Sequence, residues 1–303
     1  MKKTILQTLG IATVALIGQA FCDSPVDAQP ATKGYEQGYG VDENQLLGGY
    51  NAPGRIAVDG SWSAFISASF IYWLPKEKGL ESCVTRDNTV PMGARVANMN
   101  HEFKPGFKVG LGFNCDHDNW VAAIGYTRFH SNHSNKHASV SSTTHNLAPL
   151  WLKYDNTVGN TVGFIKASGK WRLNMDILDL EMSRPFYLGR HLTFTPVAGL
   201  RGGWINQRYK PKYHHEYYGW VNSFHKQNSW LVGPRAGINS RWLLGAGFRF
   251  SGDIAAALLY QRFKNHMIEA DLTAPTTAYM SSNETKGLVT PHLDINLGLG
   301  WGT

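Results

Sequence analysis

Charge is scarce in this chain of 303 residues: Asp, Glu, Lys and Arg together make up 17% of it, against roughly 25% in an average soluble domain. Cysteine is nearly absent, with three in all. Long apolar runs are missing too, because past the first twenty or so residues no segment offers the roughly 20 consecutive apolar residues of a membrane helix. If the chain sits in a membrane it must therefore do so as a closed β-barrel, the other structure that satisfies every backbone polar group within lipid. What the chain does have is 32 glycines, 10 tryptophans, 13 tyrosines and a hydrophobic fraction of 43%. That mixture suits short strands and aromatic belts better than helices.

The N-terminus has a secretory layout. Lys2 and Lys3 precede the apolar run "TILQTLGIATVALIGQAF", and small-residue cleavage patterns end at Ala20 and Ala28, so residues 1–28 read as a signal peptide cut after one of these. Cys22 follows Phe21, which makes lipid attachment the weaker reading. Residues 29–60 are Gly-rich, aperiodic and read as a leader segment.

From residue 61 the pattern changes. In "SWSAFISASFIYWLP" Trp62, Ala64, Ile66, Ala68, Phe70 and Tyr72 alternate with Ser61, Ser63, Ser67 and Ser69, giving a ribbon with one greasy and one hydroxylic side. Similar ribbons follow: 107–113, 120–126, 170–182, 192–201, 230–239, 254–263 and 288–302. In the fourth, Trp171 to Ile177 and Leu178 to Met182 fall on opposite parities, which predicts a bulge. Pro196 is awkward in the fifth, and 242–253 reads as either a short helix or a hairpin. The expected fold is an all-β transmembrane antiparallel barrel of the outer membrane over residues 61–303, eight strands being visible. Long outer loops are expected near 75–103, 131–169, 207–228 and 265–287, in strict alternation with short turns. The span from Trp62 to Tyr72, about 33 Å along the strand and about 23 Å vertically at 45° tilt, suits an apolar band of roughly 25 Å. A secreted β-sandwich is the alternative that alternation alone leaves open.

The stretches "GGYNAPGRIAVDGSWSAFISASFIYWLPKEKGLE", "FKPGFKVGLGFNCDHDNW" and "VGPRAGINSRWLLGAGFRFSGDIAAALLYQRF" resemble the major outer membrane protein family of Legionella and environmental chlamydiae. The likeness runs from about Leu47 to the end. It implies a pore-forming barrel that passes small solutes passively, with a role in adhesion and surface integrity. It also implies further C-terminal strands and an aromatic-ended last strand, whereas this chain ends "LGWGT", as a truncated product or a barrel closing on eight strands. A pore then argues for missing strands or an oligomer, since an eight-stranded barrel is filled by its own side chains. Two readings stand beside the porin: a non-porous surface adhesin or coat protein, and an outer-membrane lipid hydrolase, for which no Ser and His form a recognisable motif.

Parity places Lys108, Arg172, Arg201, Arg235 and Asp294 on the lumen side. With a net charge of +7, the basic ones predict a weak preference for anions; pairing with carboxylates across the lumen is the competing expectation. Trp62, Tyr72, Trp120, Tyr126, Trp230 and Trp301 are the expected aromatic girdle. Cys83 falls in an outer loop and Cys115 in a periplasmic turn, so about 30 Å of hydrocarbon keeps them from bridging; the resemblance favours bonds to other proteins. His130, His133 and His137, with His214, His215 and His225, sit in polar loops without a ligand pattern, so no metal and no cofactor is expected. "HHEYYGW", 214–220, reads as an exposed aromatic lid, and "GLGLGWG" is no dinucleotide fingerprint. Expected partners are outer-membrane lipids and lipopolysaccharide, small solutes, further copies of the chain and host surfaces, with no nucleic acid.

Overall fold

The computed structural model describes residues 63–87, 94–115, 120–134, 138–139, 145–152, 164–188, 191–216, 219–245, 248–270 and 278–301. The expected signal peptide, the Gly-rich segment, Trp62 and His137 lie outside them. Among the described residues every regular element is a strand: β1 (Ser63–Trp73), β2 (Cys83–Asp87), β3 (Ala94–Val96), β4 (Lys104–Asn114), β5 (Val121–Ser134), β6 (Ala138–Ser139), β7 (His145–Pro149), β8 (Phe164–Ser183), β9 (Phe186–Tyr187), β10 (Leu192–His215), β11 (Gly219–Gly245), β12 (Phe248–Ala270) and β13 (Ala278–Trp301).

Eight of these form one antiparallel path, β1-β4-β5-β8-β10-β11-β12-β13, and three form a small sheet, β3-β2-β7. The large sheet curls into the wall of a barrel, so that residues of β1, β4, β5, β8, β10, β11 and β13 line one cavity of about 770 Å³. β1 and β13 are its two edges and are not hydrogen-bonded to each other.

The strands are longer than their greasy stretches, and this corrects several expectations. Residues 207–228 are strand except at the hairpin tip, and most of 265–287 is the β12–β13 hairpin. Long and short connections therefore do not alternate strictly: residues 216–218 join β10 to β11, while 184–191, at the opposite end, join β8 to β10 around the two-residue β9. The 242–253 segment is a hairpin, with Trp242 paired to Phe250 and Asn239 to Asp253. Pro196 is tolerated because β8 ends beside it, Ser183 pairing with Val197.

No bulge interrupts β8 between Ile177 and Leu178. Its pairing with β5 and with β10 runs through both residues without a shift. What changes is the polarity of the faces. Towards the short-turn end, β8 turns Leu178, Leu180 and Met182 outward, each at least 40% exposed, and Asp179 and Glu181 inward. Further along, the same inward parity carries Trp171, Leu173 and Ile177, all buried, and the outward parity carries Lys170, Arg172 and Asn174.

β10, β11 and β12 repeat the inversion. β10 turns Leu200 and Trp204 outward with Arg201 inward, then buries Ile205, Tyr209 and Tyr213 while exposing Arg208, Lys210 and Lys212. In β11 the outward face passes from Ile238 and Val232 to Asn228 and Lys226; in β12, from Ile254 and Leu258 to Arg262 and Lys264. The crossover line carries aromatics: Tyr126, Trp204, Trp230 and Tyr260, with Trp204 paired to Trp230 and the Trp230 and Tyr260 rings 5.7 Å apart.

The outward apolar face runs from Trp230 to Trp242 on β11, Tyr260 to Phe248 on β12 and Val289 to Trp301 on β13. Twelve residues at about 3.3 Å each and 45° tilt rise about 28 Å, the height of a hydrocarbon band between two aromatic rows. Below the crossover the outward face is apolar and suits lipid; above it the outward face is polar, and the inward face of β5, β8, β10, β11 and β12 is packed.

Candidate functional site

Inside the membrane band the wall is lined by small and charged side chains: Ser67 and Ser69 from β1, Lys108 from β4, Thr127 from β5, Asp179 and Glu181 from β8, Arg201 from β10, Arg235 from β11, and Asp294 and Asn296 from β13. A local motif places the two arginines. "GLRGG", 199–203, and "GPRAG", 233–237, set each Arg between glycines on its own inward face. The register then puts Arg201 opposite Gly233 and Arg235 opposite Gly199. A Cβ at Gly199 would fall on the Leu180 carbonyl, and one at Gly233 on the Leu258 carbonyl. Only glycine fits so close to the neighbouring backbone, and its missing side chain leaves room for the guanidinium opposite.

The arginines do not stand free. Arg201 grips Asp179 in a fork, Nε to Oδ1 at 2.6 Å and Nη2 to Oδ2 at 3.0 Å. Its Nη2 also reaches Asp294 Oδ2 at 2.7 Å, across the lumen from β13. Arg235 pairs with Glu181, and its Nε lies 3.6 Å from the same Asp294 oxygen. Asp294 thus ties three strands into one network. Lys108 has no carboxylate partner among the described residues; its Nζ sits 5.1 Å over the Trp73 ring.

Above this network, packed side chains occupy the bore along β5, β8, β10, β11 and β12. The segment after β1 folds down with the β3-β2-β7 sheet and Trp151, and barrel side chains hold its backbone: Tyr209 Oη donates to the Leu80 carbonyl at 3.0 Å and Tyr213 Oη to the Ser82 carbonyl at 2.7 Å. Trp151 Nε1 donates to the Glu81 carbonyl at 2.7 Å. Leu80, Met99, Phe129, Trp171, Ile205, Leu231 and Leu259 form the main buried cluster; Cys83, Leu147, Phe164 and Tyr213 form a second. Burial raises the Cys83 thiol above its ordinary pKa.

Three titratable groups hold this plug. Burial lifts the Glu77 carboxyl to about 7, against the opposing effect of its bond to Gln207. Burial lowers His133 to about 4, helped by His101 and Lys104. His225 is also lowered to about 4 by burial, its ring 4.6 Å from Trp151.

Of the sequence-predicted residues, Lys108, Arg201, Arg235 and Asp294 meet in the lumen. Arg172 does not: it lies on the outward, exposed parity of β8 between buried Trp171 and Leu173, because it stands beyond the crossover. Asp179 and Glu181 were missed, since the supposed phase shift in β8 hid their parity. Tyr72, Trp120, Tyr126, Trp230 and Trp301 face outward; Trp204, Trp242 and Tyr260 join them and lay outside the sequence selection. Cys83 is a buried thiol and Cys115 an exposed one at the short-turn end.

His130 and His133 point to opposite faces of β5. The first bonds Asp176 Oδ2 at 3.2 Å, and the second stacks on Trp171 with ring centres 5.4 Å apart. No group of three or more His, Cys, Asp or Glu converges on a metal position among the described residues. The "HHEYYGW" stretch is the tip of the β10–β11 hairpin.

An all-β wall, lipid-facing outside and charged inside, between two aromatic rows, defines an outer-membrane β-barrel protein. The sequence agrees: residues 58–303 match the family described as Legionella pneumophila major outer membrane protein precursor, and the chain belongs to that family. Its location is accordingly the outer membrane. No curated protein and no solved structure matches it.

Proposed function

We propose that the barrel is a porin through which small hydrophilic solutes diffuse passively. The observation that supports this is the lumen itself, whose serines, asparagine and charged groups sit behind a lipid-facing exterior. Such a lining fits water and solutes rather than packing. Selectivity is weak in this reading. Arg201 and Arg235 are outnumbered by Asp179, Glu181 and Asp294, and Lys108 balances the third carboxylate, which leaves these six groups without net charge and the lumen with no marked preference for anions. The basic ring expected from sequence is balanced.

The plug gives the second reading a specific support, because a bore filled by Leu80, Met99 and Trp171 is what a non-porous coat barrel would have. Lipid hydrolysis has less. Ser223 Oγ and His225 Nε2 are 2.7 Å apart, but Ser223 is 2% exposed and faces the plug rather than the lipid. Single-channel conductance of the refolded protein in planar bilayers tests the porin reading: discrete openings are expected, and a silent bilayer containing inserted, folded protein supports the coat.

A further inference from the structure

The charges outside the barrel are arranged very differently from those inside. Just above the aromatic crossover, the outward face of β8, β10 and β11 carries a row of three cations in direct cross-strand register: Arg172 pairs with Arg208, and Arg208 with Lys226. One step further out Lys170 pairs with Lys210, and Arg262 stands beside Trp230 on β12. Like charges placed directly opposite one another in a sheet are destabilising. A sheet that keeps them in adjacent register needs a counter-charge from elsewhere.

The chain supplies almost none. On the outward face of β5, β8, β10, β11 and β12, between the aromatic line and the hairpin tips, the single carboxylate among the described residues is Asp176. It is already engaged, accepting from Tyr126 Oη at 2.8 Å and contacting His130. Arg172 and Arg208 are exposed, and neither has an ion pair with any described residue.

Height identifies the missing partner. Arg208 lies four residues beyond Trp204, and Lys226 four beyond Trp230, which is about 9 Å above the aromatic line at 45° tilt. That is just above the headgroup layer, roughly 5–8 Å of polar material on each side of the hydrocarbon, and an Arg or Lys side chain is long enough to reach down into it. Cations at this level, with guanidinium forks that accept two oxygens at once, match phosphate. We propose that the Arg172–Arg208–Lys226 row is a binding site for the phosphoryl headgroup of an outer-leaflet lipid. The lipid's acyl chains lie below it against Leu200, Trp204 and Val232, and its phosphates neutralise the row. This site is on the opposite side of the wall from the lumen, so it stands whether or not the barrel conducts.

The test uses the full mature chain refolded in a neutral detergent, titrated with bisphosphorylated lipid A, with the same lipid after dephosphorylation, and with inorganic phosphate, while Trp fluorescence reports binding. The compared proteins are the wild type, the triple variant R172Q/R208Q/K226Q and a charge-matched control, K76Q/K78Q/K166Q. Each basic residue near an anionic surface contributes about a fivefold factor in affinity, so the triple variant is expected to bind bisphosphorylated lipid A about a hundredfold more weakly than wild type. The control and wild type bind alike. Dephosphorylated lipid binds wild type no better than the triple variant, and phosphate at equal concentration does not displace the lipid.

The lipid-free proteins give a second readout. Removing the like-charge row raises the unfolding midpoint of the triple variant above that of wild type, and added lipid reverses the order. Equal lipid binding by wild type and triple variant, retained binding of the dephosphorylated lipid, displacement by inorganic phosphate, or a lower midpoint for the triple variant without lipid would each overturn the proposal.

Discussion

The two ends of β8 behave as different proteins. Near Leu180 the strand is a membrane wall, with apolar side chains outside and Asp179 and Glu181 within. Near Trp171 it resembles half of a soluble sheet, with its apolar side inward under the plug and Lys170 and Arg172 exposed on the outer face. Backbone, register and pleat are continuous between them. Burial alone therefore does not say which side of a strand is greasy; the medium on each side does.

The largest effects should come from removing the centre of either half. Arg201→Ala leaves Asp179 and Asp294 without their shared cation in a largely enclosed lumen and is expected to cost about 3–5 kcal/mol. Trp171→Ala opens a cavity in the packed half and is expected to cost a similar 3–5 kcal/mol. Urea unfolding in detergent measures both. The comparison sharpens if the Arg201 variant remains plugged while the Trp171 variant loses protection at residues 77–83 in hydrogen exchange.

Next in size is a contrast on one face of one strand. Leu180→Arg puts a charge into hydrocarbon and should cost about 2–4 kcal/mol, whereas Arg172→Leu on the same outward face should change stability by less than about 0.5 kcal/mol without lipid. Equal costs would erase the boundary between the halves.

Acidity should then act on the plug more than on the membrane half. His133 and His225 have folded values near 4, below the ordinary 6.5, so the stability they lend is present above about 6.5 and lost as pH falls towards 4. Glu77, raised to about 7, works the other way: its contribution is full below about 4.5 and is lost as pH rises through 7. Two histidines outweigh one carboxyl on the acid side. Plug protection, followed by hydrogen exchange, is therefore expected to peak near pH 6.5, and Glu77→Gln should remove the decline above that peak while leaving the acid limb.

The smallest effect concerns permeation. Lys108→Gln leaves the lumen network one negative charge in excess and should shift the reversal potential in a salt gradient towards cation preference with little change in stability, while Arg172→Gln, outside the wall, should leave the reversal potential unchanged.

Much of this was legible in the residues. The eight wall strands were visible as alternation, and Lys108, Arg201, Arg235 and Asp294 were placed on the lumen side from parity alone. The failures share one cause. In "WINQRYKPKYH", 204–214, the period of two is intact, with Ile205, Tyr209 and Tyr213 on one parity and Arg208, Lys210 and Lys212 on the other. Its sense is reversed relative to "TPVAGLR" just before it. A search for one apolar-out phase reads the reversal as a loop in β10 and as a bulge in β8. The plug was illegible for another reason: Tyr209 bonding to Leu80, or Trp151 to Glu81, is a long-range contact that no local pattern encodes.

The central claim, that the long strands β8, β10, β11 and β12 change from an apolar to a polar outward face at the aromatic line, is most directly tested by spin labels at the outward positions of β8. Single-cysteine variants at Arg172, Asn174, Leu178, Leu180 and Met182, with Cys22, Cys83 and Cys115 replaced by serine, would be reconstituted in bilayers and probed with oxygen against a polar nickel complex. The account predicts oxygen-dominated relaxation at Leu178, Leu180 and Met182 and nickel-dominated relaxation at Arg172 and Asn174, with the switch at Asp176. Uniform access of the nickel complex along the strand, or a switch in the opposite sense, would contradict it.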